Sequence, residues 1–511
     1  MKMAHCWKET VSYKNISPDK IIQIRGDISI SENIMKIRLH KDAFFRRYNG
    51  IGYLLQQKDE RNLVLDTNGM IFFQFITRKA KDINIICQEI CKMYKNADIS
   101  VIKNDFLEFI SKMEKLNFVI TGKTEKEIKE KEQKTNSSNH TNHNYIVNST
   151  NEEKKDINKV LQKHFDKYPQ ILTLEIEITP FCNLHCVHCY LNCNDVSQKQ
   201  MSYKMLCRVL KEFRDMGGLQ VTFTGGEAML NKDLPKLLKY ARKLDLSITI
   251  LTNAALLDCP LLKAIKETNV AKIQVSLYSI NAKDHDAITQ IKGSFQKSKK
   301  SIEKLLKNNI KVQIACPVMK ENINTFQEVL KWGIEHKVKV KVEGTIMAKA
   351  DFSTNNLTHR LDLKEQKKFI ISTIKNNPVY QRELLENADK EVKTLPSTPV
   401  CGAGRYMLCL EAGGDYYPCP GFKLKLGNCK KQSLQEIWGN SKKLNELRHL
   451  TNSNYEKCLK CKAKKYCDIC PGRFYNESGG DMFKLSDYFC KVAHLTKQIA
   501  EEFVKEHKKL N

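Results

Sequence analysis

Three cysteines in the run TPFCNLHCVHCY, Cys182, Cys186 and Cys189, constrain this chain more than any other feature. Three residues separate the first pair and two the second. Three thiolates on one short loop can hold three irons of a 4Fe–4S cluster and leave the fourth bare. A bare iron is a place for chemistry, whereas a fully ligated cluster mainly carries electrons. Three other readings compete: zinc, disulfides and coincidence of spacing. Structural zinc wants four ligands in a closed site, and the nearest extra candidates are His185, His188 and Cys193. Disulfides need an oxidising compartment. The N-terminal MKMAHCWKET has neither the apolar core nor the cleavage site of an export signal. The expected location is cytoplasmic, where thiols stay reduced and 19 cysteines suggest metal or redox work.

The surrounding pattern places this loop. It directly follows LTLEIEIT, an alternating strand over Leu172–Thr179. LQVTFTGGEAM reads as a second strand ending in Gly225-Gly226-Glu227, and LSITILTNA, AKIQVSLYS, KVQIACPV and VKVKVEG supply four more. Between them lie helical faces, one carrying Met205, Leu206, Val209, Leu210 and Phe213, another Leu234, Leu237, Leu238 and Ala241. Strand–helix alternation predicts an α/β fold with a parallel sheet and helices outside. Six units suit a partial barrel, whose active residues sit where the strands end. The cysteine loop and Gly-Gly-Glu would then face one mouth.

CNLHCVHC, TGGE, the strand-end TNA and SLYS together resemble the radical S-adenosylmethionine (SAM) superfamily. The resemblance implies a partial (β/α)6 TIM-type barrel over residues 165–350. It implies that SAM chelates the bare iron through its amine and carboxylate. Gly225, Gly226 and Glu227 would receive the amine through a carbonyl and a carboxylate. Asn253 and Ser276 would lie near the methionine and ribose parts. One departure matters: relatives often carry Arg-Gly before a Gly-Ser-Phe run, but here the stretch is DAITQIKGSF. Lys292 offers a point charge there, not a bidentate fork.

Residues 396–500 hold a second cysteine-rich region, with CGAGRYMLCLEAGGDYYPC, CLKCKAKKYCDICPG and Cys490. In isolation the second run fits a zinc ribbon. Beside the first motif the region resembles a SPASM domain. That resemblance implies two auxiliary 4Fe–4S clusters, and three clusters in all. Cys458, Cys461, Cys467 and Cys490 would hold one; Cys401, Cys419 and Cys470 would contribute to the other. Cys409, on the predicted hairpin strand, is either its fourth ligand or a small buried apolar residue. Only two residues separate Cys467 from Cys470, where the usual motif has three.

Residues 36–120 read as a separate small unit. Strands are expected at Lys36–Leu39, Ile51–Leu55 and Leu63–Leu65, a turn at Asp66–Gly69, and then helices marked by Ile86, Ile90 and Met93, and by Phe106, Phe109, Ile110 and Met113. Strands come first and helices after. LVLDTNGMIFFQFI and FLEFISKMEKLNFV resemble the winged-helix-like leader-recognition element of enzymes that modify ribosomally made peptides. The leader would add as a strand between Leu63–Leu65 and Lys103–Leu116. A DNA-binding winged helix is the alternative use. Residues 1–35 are read as an extension. The polar stretch 121–160 is read as a flexible tether with a reach on the order of 30 Å. Residues 351–395 are read as a helical bridge.

The net charge of +27 invites a nucleic-acid reading. However, lysines are spread along the whole chain without interleaved aromatics, and an acidic leader would be attracted equally. No apolar run reaches the ~18 residues that a membrane span needs. These features together most resemble sactipeptide synthases. Such an enzyme would use a 5′-deoxyadenosyl radical to take a hydrogen from a precursor peptide, join a cysteine to that carbon as a thioether, and draw electrons from a reductase such as flavodoxin or ferredoxin. Carbon–carbon cross-linking or cofactor-precursor maturation would share every motif.

Overall fold

A computed structural model of the 511-residue chain describes residues 35–94, 97–138, 160–191, 193, 200–389 and 395–508. The N-terminal unit holds two three-stranded antiparallel sheets. In one, β1 (Lys36–Leu39) lies between β5 (Lys81–Asp82) and β6 (Val119–Gly122). In the other, β2 (Ala43–Tyr48), β3 (Ile51–Gln56) and β4 (Arg61–Leu65) follow in order, so β4 is an edge. Helices α1 (Thr67–Phe73), α2 (Ile83–Cys91) and α3 (Ile99–Lys115) bury Phe73, Ile86, Ile90, Phe106, Ile110 and Met113 in one core.

Four expectations need correction here. Asp66–Gly69 is the first turn of α1, because the Asp66 carboxylate accepts from Gly69 N at 2.8 Å and caps the helix. Met93 lies beyond α2 and is exposed. Strands do not all precede helices, since β5 and β6 return to flank β1. The tether also begins later than residue 121. After β6 comes α4 (Glu125–Ser138), held by buried Ile128, a Lys131–Glu127 pair four residues apart, and a Glu132 carboxylate that accepts from both Arg38 Nη atoms at 3.0 and 2.9 Å. One apolar anchor and a few ion pairs suffice to order a helix that composition reads as coil. The rest of the tether, 139–159, and the extension before residue 35 lie outside the described residues.

The unit is docked on the barrel at the N-terminal ends of its strands, the end away from the mouth. Tyr48 Oη donates to Gly217 O at 2.8 Å, and Gln57 bonds to Ser247 Oγ at 3.0 Å and Asn269 O at 2.9 Å. Glu60 faces Lys272, Lys311 and Lys339 at 3.7, 3.2 and 3.8 Å. Asp245 takes Arg46 Nη1 at 3.1 Å and Arg78 Nε at 2.9 Å. Burial alone would raise the Asp245 carboxyl; the Arg78 and Arg46 guanidiniums outweigh it and hold the pKa below the ordinary value. Asp245→Ala is expected to destabilise the chain by about 2 kcal/mol in denaturant titration, because it strands the buried Arg46. A depressed folded-state pKa stabilises above the unfolded carboxyl range near ~4. That contribution fades as pH falls through the lower folded value, so the gap between variant and wild type should close in acid.

The barrel consists of β7 (Thr173–Glu177), β8 (Gln220–Thr224), β9 (Ser247–Thr252), β10 (Lys272–Ser276), β11 (Val312–Pro317) and β12 (Lys339–Glu343), all parallel and in sequential order. All six expected strands are present. Leu174, Ile176, Val221, Phe223, Ile248, Ile250, Ile273, Val275 and Ile314 join the helices in the main core, and so do all nine apolar residues expected on the two helical faces. Alternate residues therefore point the other way, and apart from Leu251 and Ala315 these are mostly polar: Glu175, Glu177, Thr222, Thr224, Gln274, Ser276 and Gln313. A packed barrel fills this space with branched apolar side chains. This barrel keeps a polar lumen.

The sheet does not stop at β7. β13 (Met407–Leu410) pairs parallel with it and sets Cys409 opposite Glu175; β14 (Asp415–Tyr417) and β15 (Gly427–Asn428) extend the ribbon to nine strands. The second cysteine region is thus fused to the barrel wall. The bridge is helical at Leu363–Lys375 and Pro378–Glu386 and packs Ile370, Ile374 and Leu384 on Ile499 and Ala500 of the last helix, Asp487–Lys508. Residues 390–394 lie outside the described residues.

Candidate active site

The cysteine loop is stitched to the barrel mouth on two sides. From one, Gly226 N donates to Thr179 O at 3.0 Å and Glu227 N to Phe181 O at 2.8 Å. On the other, His185 N and Val187 N donate to the carbonyls of Thr289 and Ile288, each at 3.0 Å. Both glycines are required by contact. Gly225 has φ +137°, and a Cβ there would lie 2.3 Å from Thr179 O; one on Gly226 would lie 2.3 Å from Phe181 O. The Asp286–Phe295 stretch is a brace for this loop. Asp286 accepts from Gly293 N at 2.6 Å, Ser294 Oγ at 2.8 Å and Phe295 N at 2.8 Å. Lys292 is exposed. The sequence reading looked there for a cation and missed the two carbonyls, because backbone partners leave no residue-type signal.

Glu227 is buried, and its carboxylate accepts from Thr252 Oγ1 at 2.5 Å, Asn253 N at 2.7 Å and Met229 N at 2.9 Å. Burial raises its pKa, and the Thr252, Asn253 and Met229 bonds oppose that. Asn253 Nδ2 in turn donates to Asn183 Oδ1 at 2.9 Å, inside the cysteine loop. Glu227, Asn253 and Asn183 thus tie two strand ends to the loop. Ser276 ends β10 on the lumen face and hydrogen-bonds Tyr278. The Tyr278 hydroxyl lies 3.8 Å from Cys186 Sγ, and its ring meets His188 edge-on with centroids 4.9 Å apart. Tyr278 and Asn183 were not singled out from sequence.

The three thiols differ. Hydrogen bonding with the Cys193 thiol favours the thiolate forms of Cys182 and Cys189 and lowers both, Cys189 to about 7. Burial pushes Cys186 up to about 12. Three soft donors on one braced loop, beside a glycine edge with no room for a Cβ, fit a three-cysteine 4Fe–4S cluster with an open position.

The later cysteines influence one another in two groups. Cys401 and Cys419 are raised, first by burial and then by neighbouring thiols: Cys470 acts on both, and Cys401 on Cys419, which reaches about 12. Likewise burial raises Cys458, Cys467 and Cys490; Cys458 and Cys490 act on Cys467, and Cys461 on Cys458 and Cys490. The short spacing before Cys470 does not keep it from the first set. Cys461 Sγ also lies 3.6 Å from His494 Nε2, a residue the sequence reading passed over. Cys409 stands on the barrel wall. It is fully buried on β13, and its charged neighbours are Glu177, Glu175, Lys423 and Glu411 rather than the three thiols. Its register opposite Glu175 puts it on the lumen face of the barrel wall.

Residues 176–333 match the family model "Radical SAM superfamily" and residues 401–462 match "Iron-sulfur cluster-binding domain" (SPASM). The chain is similar to Fe-coproporphyrin III synthase of Methanosarcina barkeri, 24% identical over 354 residues that cover 63% of this chain and 87% of that protein. It is also similar to the antilisterial bacteriocin subtilosin biosynthesis protein AlbA of Bacillus subtilis, 27% identical over 60% of this chain and 68% of that one. In fold it is similar to Streptococcus suis SuiB, solved bound to precursor peptide SuiA, with TM-score 0.57, 19% identity, and coverage of 89% and 99%. No helix among the described residues is long and apolar enough to cross a membrane.

Proposed function

We propose that this chain, a radical SAM superfamily enzyme with a SPASM domain, modifies a ribosomally made precursor peptide by forming intramolecular cysteine thioethers. The observation that carries the reading is the N-terminal unit. The likeness in fold to SuiB spans 89% of the chain and so takes in the N-terminal unit. A unit of sheet and helix docked on the barrel base has no task in chemistry on a small porphyrin. It suits a long substrate gripped at a distance from the mouth. β4 is an edge strand with unpaired main-chain groups, and Leu63, Ile102, Leu107, Phe109 and Leu116 remain only partly buried in the unit's core. An added peptide strand would find backbone partners along β4 and apolar contacts on α3.

In this reading Cys182, Cys186 and Cys189 hold the SAM-binding cluster. Gly225, Gly226, Asn253 and Ser276 border SAM, and Glu227 keeps the Asn253 strand end in place. Cys401, Cys419 and Cys470 hold one auxiliary cluster and leave a position for a substrate thiolate; Cys458, Cys461, Cys467 and Cys490 hold the other. Loaded in this way, the sites supply a 5′-deoxyadenosyl radical and an electron acceptor, with a flavodoxin or ferredoxin as reductant. The chain's own residues orient: they fix the loop, hold the leader and line a polar lumen.

The test is coexpression with a cysteine-containing short peptide encoded beside the gene, followed by mass analysis. Loss of two hydrogens per link together with loss of alkylatable thiol is the expected result. Loss of hydrogens with every thiol intact would instead establish a carbon–carbon or other oxidative link. An unchanged peptide, in cells that load the clusters, would end the reading. Leu107→Asp places a charge in the proposed groove. It is expected to weaken peptide binding by roughly tenfold or more in fluorescence titration, the cost of about one buried apolar side chain.

A further inference from the structure

Among the described residues, the lumen wall carries an acceptor that the fold leaves without a donor. Glu177 is 7% exposed, and its Oε1 has no hydrogen-bond partner. Its carboxylate does accept from the backbone at Ala412, so one side of the group is satisfied and the other is not. The nearest cation, Lys423 Nζ, stands 3.9 Å away and is committed to Glu411. Glu175 lies on the same face of β7, two residues earlier, so two carboxylates share this part of the wall. A buried carboxylate oxygen without a donor is costly. Burial pushes Glu177 up to about 7 and Glu175 up to about 8, as expected where donors are scarce. The place is also telling. Cys189 of the first loop is among the charges felt by Glu177, and Cys419 of the auxiliary set feels Glu175. The free oxygen therefore lies on the lumen wall between the two cysteine regions, in the path of any group that must reach both.

We propose that Glu177 binds the substrate, its free Oε1 accepting a hydrogen bond from an S–H or N–H of the peptide segment held in the lumen. This rests on the peptide-modifying reading above. Such a bond would place the reacting segment while the leader stays gripped at the barrel base.

The test uses the full-length, cluster-loaded, SAM-bound enzyme and two small probes. N-acetylcysteinamide offers both S–H and N–H, and N-acetylalaninamide offers N–H alone. Equilibrium dialysis should show saturable binding to the wild type, at least tenfold weaker binding to Glu177→Ala, and partial recovery in Glu177→Gln, which keeps one acceptor oxygen. Lys423→Met removes the neighbouring cation but not the acceptor and should bind within threefold of wild type. Preference for the cysteine probe would identify the thiol as donor, and equal binding the amide; both support the site. No binding to wild type, binding indifferent to Glu177→Ala, or an equal loss in Lys423→Met would overturn it. Peptide modification is scored separately: a wild type that binds the probe through Glu177 but leaves the neighbouring precursor unmodified sinks the functional reading and keeps this site.

Discussion

An enzyme carrying Cys182→Ala, Cys186→Ala and Cys189→Ala should lose SAM cleavage entirely, to below about a thousandth of the wild-type rate, while retaining its fold. These three thiols are the proposed donors to a cluster with an open position, and that cluster is the group proposed to open SAM. The fold should survive because the loop is held by main-chain bonds, from Gly226 N to Thr179 O and from His185 N and Val187 N to the Thr289 and Ile288 carbonyls, and none of these uses a cysteine side chain. Anaerobic reconstitution followed by iron analysis checks the assignment independently of activity. If the wild type holds the three proposed clusters, about a third of the iron should disappear. Loss of all the iron would mean that the thiol sets are not separate. Undiminished iron would mean that this loop holds none.

That separateness was largely readable from the sequence, and the reasons are physical. The two later sets are what the SPASM resemblance implies, and in the structure Cys470 lies among the charges felt by Cys401 and Cys419, and Cys461 among those felt by Cys458 and Cys490. The six barrel strands were readable because alternation along LTLEIEIT or QVTFT reflects a core on one face. What the sequence could not show was partnership at long range. β13 lies more than two hundred residues from β7, so nothing local says that the second cysteine region continues the barrel wall. For the same reason Cys409 read equally well as ligand or filler. Helix α4 was hidden because its anchor is one isoleucine, and its ion pair to Arg38 spans 94 residues. The docking of the N-terminal unit was invisible too. It runs through carbonyls and scattered charges such as Glu60 and Asp245, which in sequence look like any solvated residue.

Gly226→Ala should be among the most damaging single methyls in the described residues. The added Cβ would lie 2.3 Å from Phe181 O, 2.5 Å from Phe181 C and 3.0 Å from Cys182 N. All three atoms are backbone, so no side chain can swing aside. Either β8 or the cysteine loop must move, and the loop is pinned on its far side by Ile288 and Thr289. Overpacking of this kind costs about 1–3 kcal/mol of stability, which a barrel with this core survives. Catalytic geometry is less forgiving: a displacement of about 1 Å can cost roughly a hundredfold in rate. The expected outcome is therefore a folded protein with SAM turnover reduced about a hundredfold and SAM binding weakened with it. Gly413→Ala is the matching control, because no atom lies within 4 Å of its Cβ position and its φ is not in the positive region. It should change thermal stability and turnover hardly at all. If Gly226→Ala turns over SAM as fast as Gly413→Ala, the loop tolerates the shift, and the close approach of TGGE to the cysteine loop does not position the chemistry.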